Sequence, residues 1–191
     1  MSYEREFELI GLILSSSAET RGVDAFALSL IKCERQMRRL LTFLVFQYPC
    51  FGVADVPALR SALSNNRKVY FEGLIRGFDA IYPRSIQNLV GSDHDHLRLR
   101  LSEANNHRNK IFHGQLTSEE LGRDDLVGYV NDISSWSKSL ADASLTEFGY
   151  DGFGRNSFQK SQSVELGKRF KMQLTSVLDY ERFIQQEMQR H

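Results

Sequence analysis

The eight residues HRNKIFHG, 107 to 114, place two imidazoles, a guanidinium, an ammonium and a carboxamide ahead of a glycine. Arg108 and His113 bracket four residues. A guanidinium holds phosphate oxygens in a bidentate fork, and an imidazole moves protons near neutral pH. That pairing suits phosphoryl chemistry, which needs both charge stabilisation and proton transfer. On a helix the two side chains point about 140° apart and differ by about 7.5 Å in rise, so they are not stacked neighbours. Asn109 lies four residues before His113 and shares its face, where it can orient the imidazole or a substrate oxygen. His113 in a last turn gains from the negative helix end, which favours the imidazolium. His107 is a candidate second proton carrier or phosphate contact, or else a solvated face residue, and Lys110 is a candidate phosphate contact. The plainer alternative is an ordinary helix terminus, with a histidine and a glycine ending it.

The helix that carries these residues has an apolar stripe at Leu97, Leu101, Ala104 and Ile111, and Arg108 occupies a slot in that stripe. A cation there must snorkel, pair with an acid, or face something anionic. Gly114 is a suitable residue just past the helix end. Five other helical segments accompany it. The first covers about Tyr3 to Ser16, with Phe7, Ile10 and Leu14 on one side. The second runs from Asp24 to Tyr48 with Phe26, Leu30, Cys33, Met37, Leu40, Leu41 and Leu44 in the stripe, and Pro49 ends it. Arg35, Arg38 and Arg39 decorate its other side, as a solvated face or an RNA contact.

The third segment covers about Pro57 to Ile81, with Asp55 as N-cap and a break near Ser64-Asn65-Asn66. Gly73 and Gly77 lie on one face and permit close packing. A helix from about Arg123 to Leu145 turns Leu126, Tyr129, Val130, Ile133, Trp136 and Leu140 inward, and the TSEE box at Thr117 to Glu120 allows an earlier start. The stretch FGYDGFGRNSF, 148 to 158, is a structured loop. Arg155 and Asn156 within it are candidate RNA contacts, with Phe153 or Phe158 as stacking surfaces. The alternative is a loop pinned to the bundle by its aromatics. A last helix from about Ser163 to Gln189 completes the chain. No alternating strand pattern persists. The expected fold is an all-α bundle of five or six helices, one domain over 1–191, with the last helix as a C-terminal extension.

Lys plus Arg and Asp plus Glu number 24 each, so net charge selects no partner. The start MSYEREFELI is too charged for a secretory signal, and no run of 18 apolar residues occurs. Cys33 and Cys50 lack metal-ligand spacing and read as free thiols in a reducing compartment. A cytoplasmic chain without a membrane span is expected. His94 and His96 alternate with Asp93 and Asp95, which reads as a helix start and not a metal site. No cofactor is expected, and no serine or cysteine nucleophile arrangement stands out.

Arg-Asn-x3-His at the end of the fourth helical segment of such a bundle resembles the signature of the HEPN superfamily. The likeness covers roughly residues 20–145, with the 148–158 loop and the last helix as elaborations. It implies a HEPN-like helical bundle and a metal-independent endoribonuclease. Arg108 and His113 would be its catalytic pair and Asn109 an accessory. Attack by the RNA 2′-hydroxyl would leave a 2′,3′-cyclic phosphate. The resemblance also implies a homodimer with a composite site, since a two-fold interface repeats each residue across its axis. It further implies a toxin–antitoxin or antiviral defence role, with an antitoxin or defence partner protein. Some members carry a tyrosine two positions after the histidine that a nucleotidyltransferase modifies; Gln115 stands there in this chain. A catalytically silent nucleotide- or RNA-binding module and a protein-interaction adaptor are the rival readings.

Overall fold

A computed structural model describes residues 2–66, 68–112, 121–154, 156–163 and 165–189. Its described residues form eight α-helices and no strand. Two 26-residue helices, α2 (Arg21–Phe46) and α7 (Arg123–Phe148), make the central pair. Every residue of the expected α2 stripe from Phe26 to Leu44 is buried, as are Leu126, Tyr129, Val130, Ile133, Trp136 and Leu140 of α7. Burial of side chains at helical spacing is what holds such long helices, because propensity alone does not.

Helix α1 (Tyr3–Ser15) lies against both members of this pair. It is tied to α2 by Glu6, whose Oε2 is 2.5 Å from Lys32 Nζ and 2.6 Å from Arg35 Nη2. Burial raises the Glu6 carboxyl, but the Lys32 hydrogen bond and the two cations outweigh it and hold the group below the usual carboxylate range.

The expected third segment is two helices, α3 (Val56–Ser64) and α4 (Phe71–Ile81), divided where the Ser-Asn-Asn sequence predicts. Pro57 sits in the first turn of α3, while the Asp55 carboxylate accepts from the Gly52 N–H instead of capping that helix. A short α5 (Ile86–Val90) follows Pro83; Ser85 Oγ accepts from Asn88 N and Asp79 Oδ1 from Ile86 N. The motif helix is α6 (His94–Phe112), which packs mainly on α7 through Leu97, Leu101 and Ala104.

The single last helix is corrected. Among the described residues from 163 onward, regular helix is confined to α8 (Val177–Phe183), which runs into a π turn at Ile184–Met188. Before it the chain forms an irregular strap with one 3-10 turn at Gly167–Arg169. Beyond the short-range bonds of that turn, backbone groups of the strap bond to the bundle. Lys171 N donates to Ile81 O at 2.9 Å, and Met172 O accepts from the Tyr48 hydroxyl at 3.0 Å. The π turn sits on Gly73 of α4, where an added Cβ would fall 2.0 Å from Met188 O. The expected close approach at Gly73 and Gly77 is therefore made to the C-terminal turn. No described helix is long and apolar enough to cross a membrane.

Candidate active-site groove

Arg108 continues the buried line of Leu97, Leu101 and Ala104 along α6, but its side chain keeps 26 % exposure and lies at the edge of that line. It faces a groove of about 500 Å³ between α2, the start of α4 and α6. Glu34 and Arg38 form the α2 wall, residues Val69 to Glu72 the second, and Ser102, Asn105, Asn106, Arg108 and Asn109 the third. The sequence places a cation in an apolar stripe; the structure gives it an acidic neighbour and an opening.

Arg108 is oriented from both sides. Asn109 Oδ1 accepts from Arg108 Nη2 at 3.1 Å and more loosely from Nε at 3.4 Å. Across the groove, Arg108 Nη1 stands 3.5 Å from Glu34 Oε2, beyond a good hydrogen bond. The other oxygen of that carboxylate is taken by Arg38, at 3.1 Å from Nε and 2.8 Å from Nη2. Arg38 Nη2 also reaches Val69 O at 3.3 Å. Glu34 thus holds two guanidinium groups on one carboxylate. Nearby, Arg98 of α6 pairs with Glu72 of α4, and burial holds it below the usual arginine range.

The other expected residues separate. His107 lies on the α7 side of the helix, its ring 5.4 Å from Tyr129. Its Nδ1 is buried with no hydrogen-bond partner among the described residues. Beside it Tyr129 carries the Arg100 guanidinium 3.9 Å above its ring, and Arg100 binds Asp132 at 2.8 Å and Glu103 at 2.9 Å. Lys110 is partly buried in the last turn of α6. His113, Gly114 and the TSEE box lie outside the described residues, as does Arg155. The structure therefore brings Arg108 and Asn109 into one groove.

Asn156 is used within its own loop. Its Oδ1 accepts from Phe158 N at 2.9 Å and its Nδ2 donates to Phe158 O at 3.2 Å. Phe153 is fully buried, against Tyr3 and Phe7 of α1, so it offers no stacking surface. Phe158 is half-buried, packed against Phe46 and beneath Arg60. Gly152 lets this loop lie on α2: a Cβ there would meet Gln36 Cγ at 2.6 Å. The loop is an anchored one.

The basic cluster of α2 also divides. Arg35 goes to Glu6, Arg38 to Glu34, and Arg39 donates to the carbonyls of Phe153 and Gly154 at 3.1 and 3.2 Å. Only Arg38 of the three lines the groove. His94 Nδ1 is 2.7 Å from Asp95 Oδ1, with its ring 5.3 Å from Trp136. Among the described residues no three His, Cys, Asp or Glu side chains come together as a metal site. Sequence reasoning missed Glu34 and Tyr70 as parts of the groove. The Glu34–Arg38 spacing of four was the one available signal for the first. No family model, curated protein or solved structure matches the chain.

Proposed function

We propose that this chain is a metal-independent endoribonuclease of the HEPN type, acting through Arg108 and His113. The observation that carries the reading is the Arg108 guanidinium itself. It projects into a groove from the end of α6, is oriented by Asn109, and is met only loosely by Glu34. The oxygens of a phosphodiester can replace that carboxylate at the guanidinium fork. His113 follows Arg108 by five residues in the chain.

In this reading His113 takes the proton of an RNA 2′-hydroxyl, and O2′ attacks the adjacent phosphorus. The bond to O5′ breaks and O5′ receives a proton. The products are a 2′,3′-cyclic phosphate and a 5′-hydroxyl end. Arg108 stabilises the negative charge that grows on the non-bridging oxygens. Removing a proton at O2′ and supplying one at O5′ calls for two proton carriers. A two-fold dimer supplies the second His113 from the other copy. An apolar line on α2 supports such a pairing: Val23 and Ile31 are 38 % and 51 % exposed, with Ala27 between them at four-residue spacing, and the line leads toward Glu34. A role as a toxin or antiviral effector, held by a partner protein in the cytoplasm, belongs to the same proposal.

Labelled RNA incubated with the purified chain in EDTA tests it. Cleavage by the wild type, lost in Arg108→Ala and His113→Ala, is the expected result. Binding without cleavage identifies a silent RNA-binding module instead, and neither binding nor cleavage leaves the adaptor reading.

A further inference from the structure

The groove holds more than the cleavage motif requires. Tyr70, at the entrance to α4, is 56 % exposed although the residues beside it, Val69 and Phe71, are buried. Its ring packs on no other aromatic ring, and its hydroxyl has no hydrogen-bond partner among the described residues. On the opposite wall α6 presents Asn105 and Asn106, one turn before Arg108 and Asn109. Asn105 Nδ2 is committed to Leu101 O at 2.9 Å, which leaves its carbonyl oxygen as an acceptor. Arg38 and Arg108 converge from two helices on Glu34 at the same groove. One wall thus offers a π face, another offers carboxamides, and two guanidinium groups meet at a single anionic position.

We infer that this groove binds one unpaired nucleotide of a single-stranded RNA: its base stacks on Tyr70 with its edge toward Asn105 and Asn106, and its phosphate replaces the Glu34 carboxylate between Arg38 and Arg108. The inference rests on the ribonuclease reading for its choice of RNA and adds a subsite outside the Arg-Asn-x3-His motif, made by Tyr70, Asn105, Asn106 and Arg38. The volume of about 500 Å³ falls within the range of small-molecule sites, roughly 300–1,000 Å³. A base still paired in a duplex cannot insert its face between protein walls, whereas an unstacked base can. Stacking is tolerant of base identity, because every base has a π face. Arg38 becomes a second phosphate-holding group in this arrangement.

The test uses a fluorescein-labelled heptanucleotide carrying 2′-O-methyl groups, single-stranded or annealed to its complement, with the full chain in EDTA. The 2′-O-methyl strand has no nucleophile, so binding is read apart from cleavage. The single strand is expected to bind more tightly than the duplex. Tyr70→Ala and Tyr70→Leu each weaken it about tenfold, the loss of one base–aromatic stack. Tyr70→Phe binds as the wild type does, and circular dichroism melts check that the variants are folded. Equal binding by wild type, Tyr70→Ala and Tyr70→Leu overturns the inference, as does a duplex bound as tightly as the single strand, or no binding by the wild type. Cleavage of ordinary RNA that persists with Tyr70-independent binding sinks the inference and leaves the ribonuclease reading standing. Tyr70-dependent binding with uncleaved RNA does the reverse.

Discussion

Replacing Arg108 with alanine removes a guanidinium that makes one loose ion pair at a groove edge, so the fold loses about 1 kcal/mol or less. Activity is expected to fall far more, by about 10²–10³, because the lost group acts on charge that develops only during reaction. Thermal melts beside single-turnover cleavage separate the two effects; a collapse of Tm with Arg108→Ala would make the residue structural. Glu6 behaves in the opposite way. Its carboxyl is held below its ordinary 4.5 by Lys32 and Arg35 against the opposing effect of burial. Its stabilising contribution is therefore complete above about pH 4.5 and is lost as the pH falls through the lower folded-state value. Glu6→Gln strands a buried Lys32 and costs about 3 kcal/mol near neutrality. Urea melts from pH 2 to 7 should show a shallower acid limb for that variant, and an unchanged limb would mean the pair contributes nothing. At this scale Arg108 and Asn109 could be picked out together because they are neighbours in the chain, while His113 lies outside the described residues. Glu34 and Tyr70 could not be, since only the folded positions of α2 and α4 bring them to Arg108.

Among the elements, those whose apolar residues keep one period were readable from sequence: α2 and α7 bury the residues that the spacing assigned to their inner faces. The strap before α8 was not. Leu166, Phe170 and Leu174 are four apart, as on a helix, and all three are buried. They are nonetheless separate anchors of an irregular segment, with backbone groups bonded to the Ile81 carbonyl and the Tyr48 hydroxyl. Periodicity cannot distinguish such anchors from a helical face, because it does not record where the backbone bonds go. The C-terminal turn offers a test of its packing. Gly73→Ala puts a methyl group onto the Met188 carbonyl, whereas Gly77→Ala meets only the flexible Met188 side chain at 2.9 Å. The first should destabilise by about 1–3 kcal/mol and the second by less. Equal Tm values for the two variants would show that the π turn does not press on α4.

For the whole molecule, the balanced charge of 24 cations and 24 anions means that the proposed attraction for RNA has to come from local geometry, at Arg38 and Arg108 once the phosphate displaces Glu34. Catalysis on the proposed route also needs two copies. Ile31→Glu places a charge in the exposed apolar line of α2, and sedimentation velocity should show the wild-type dimer replaced by monomer, with cleavage reduced at least tenfold. A monomeric wild type that still cleaves would remove the composite site from the account. The central claim concerns which oxygen attacks phosphorus, and the ends of the cut strand report it. With wild-type protein, an unmodified oligoribonucleotide and EDTA, mass spectrometry should find a 2′,3′-cyclic phosphate on one fragment and a 5′-hydroxyl on the other, and neither with His113→Ala. Fragments ending in 3′-hydroxyl and 5′-phosphate, or the same cleavage by His113→Ala, would contradict it.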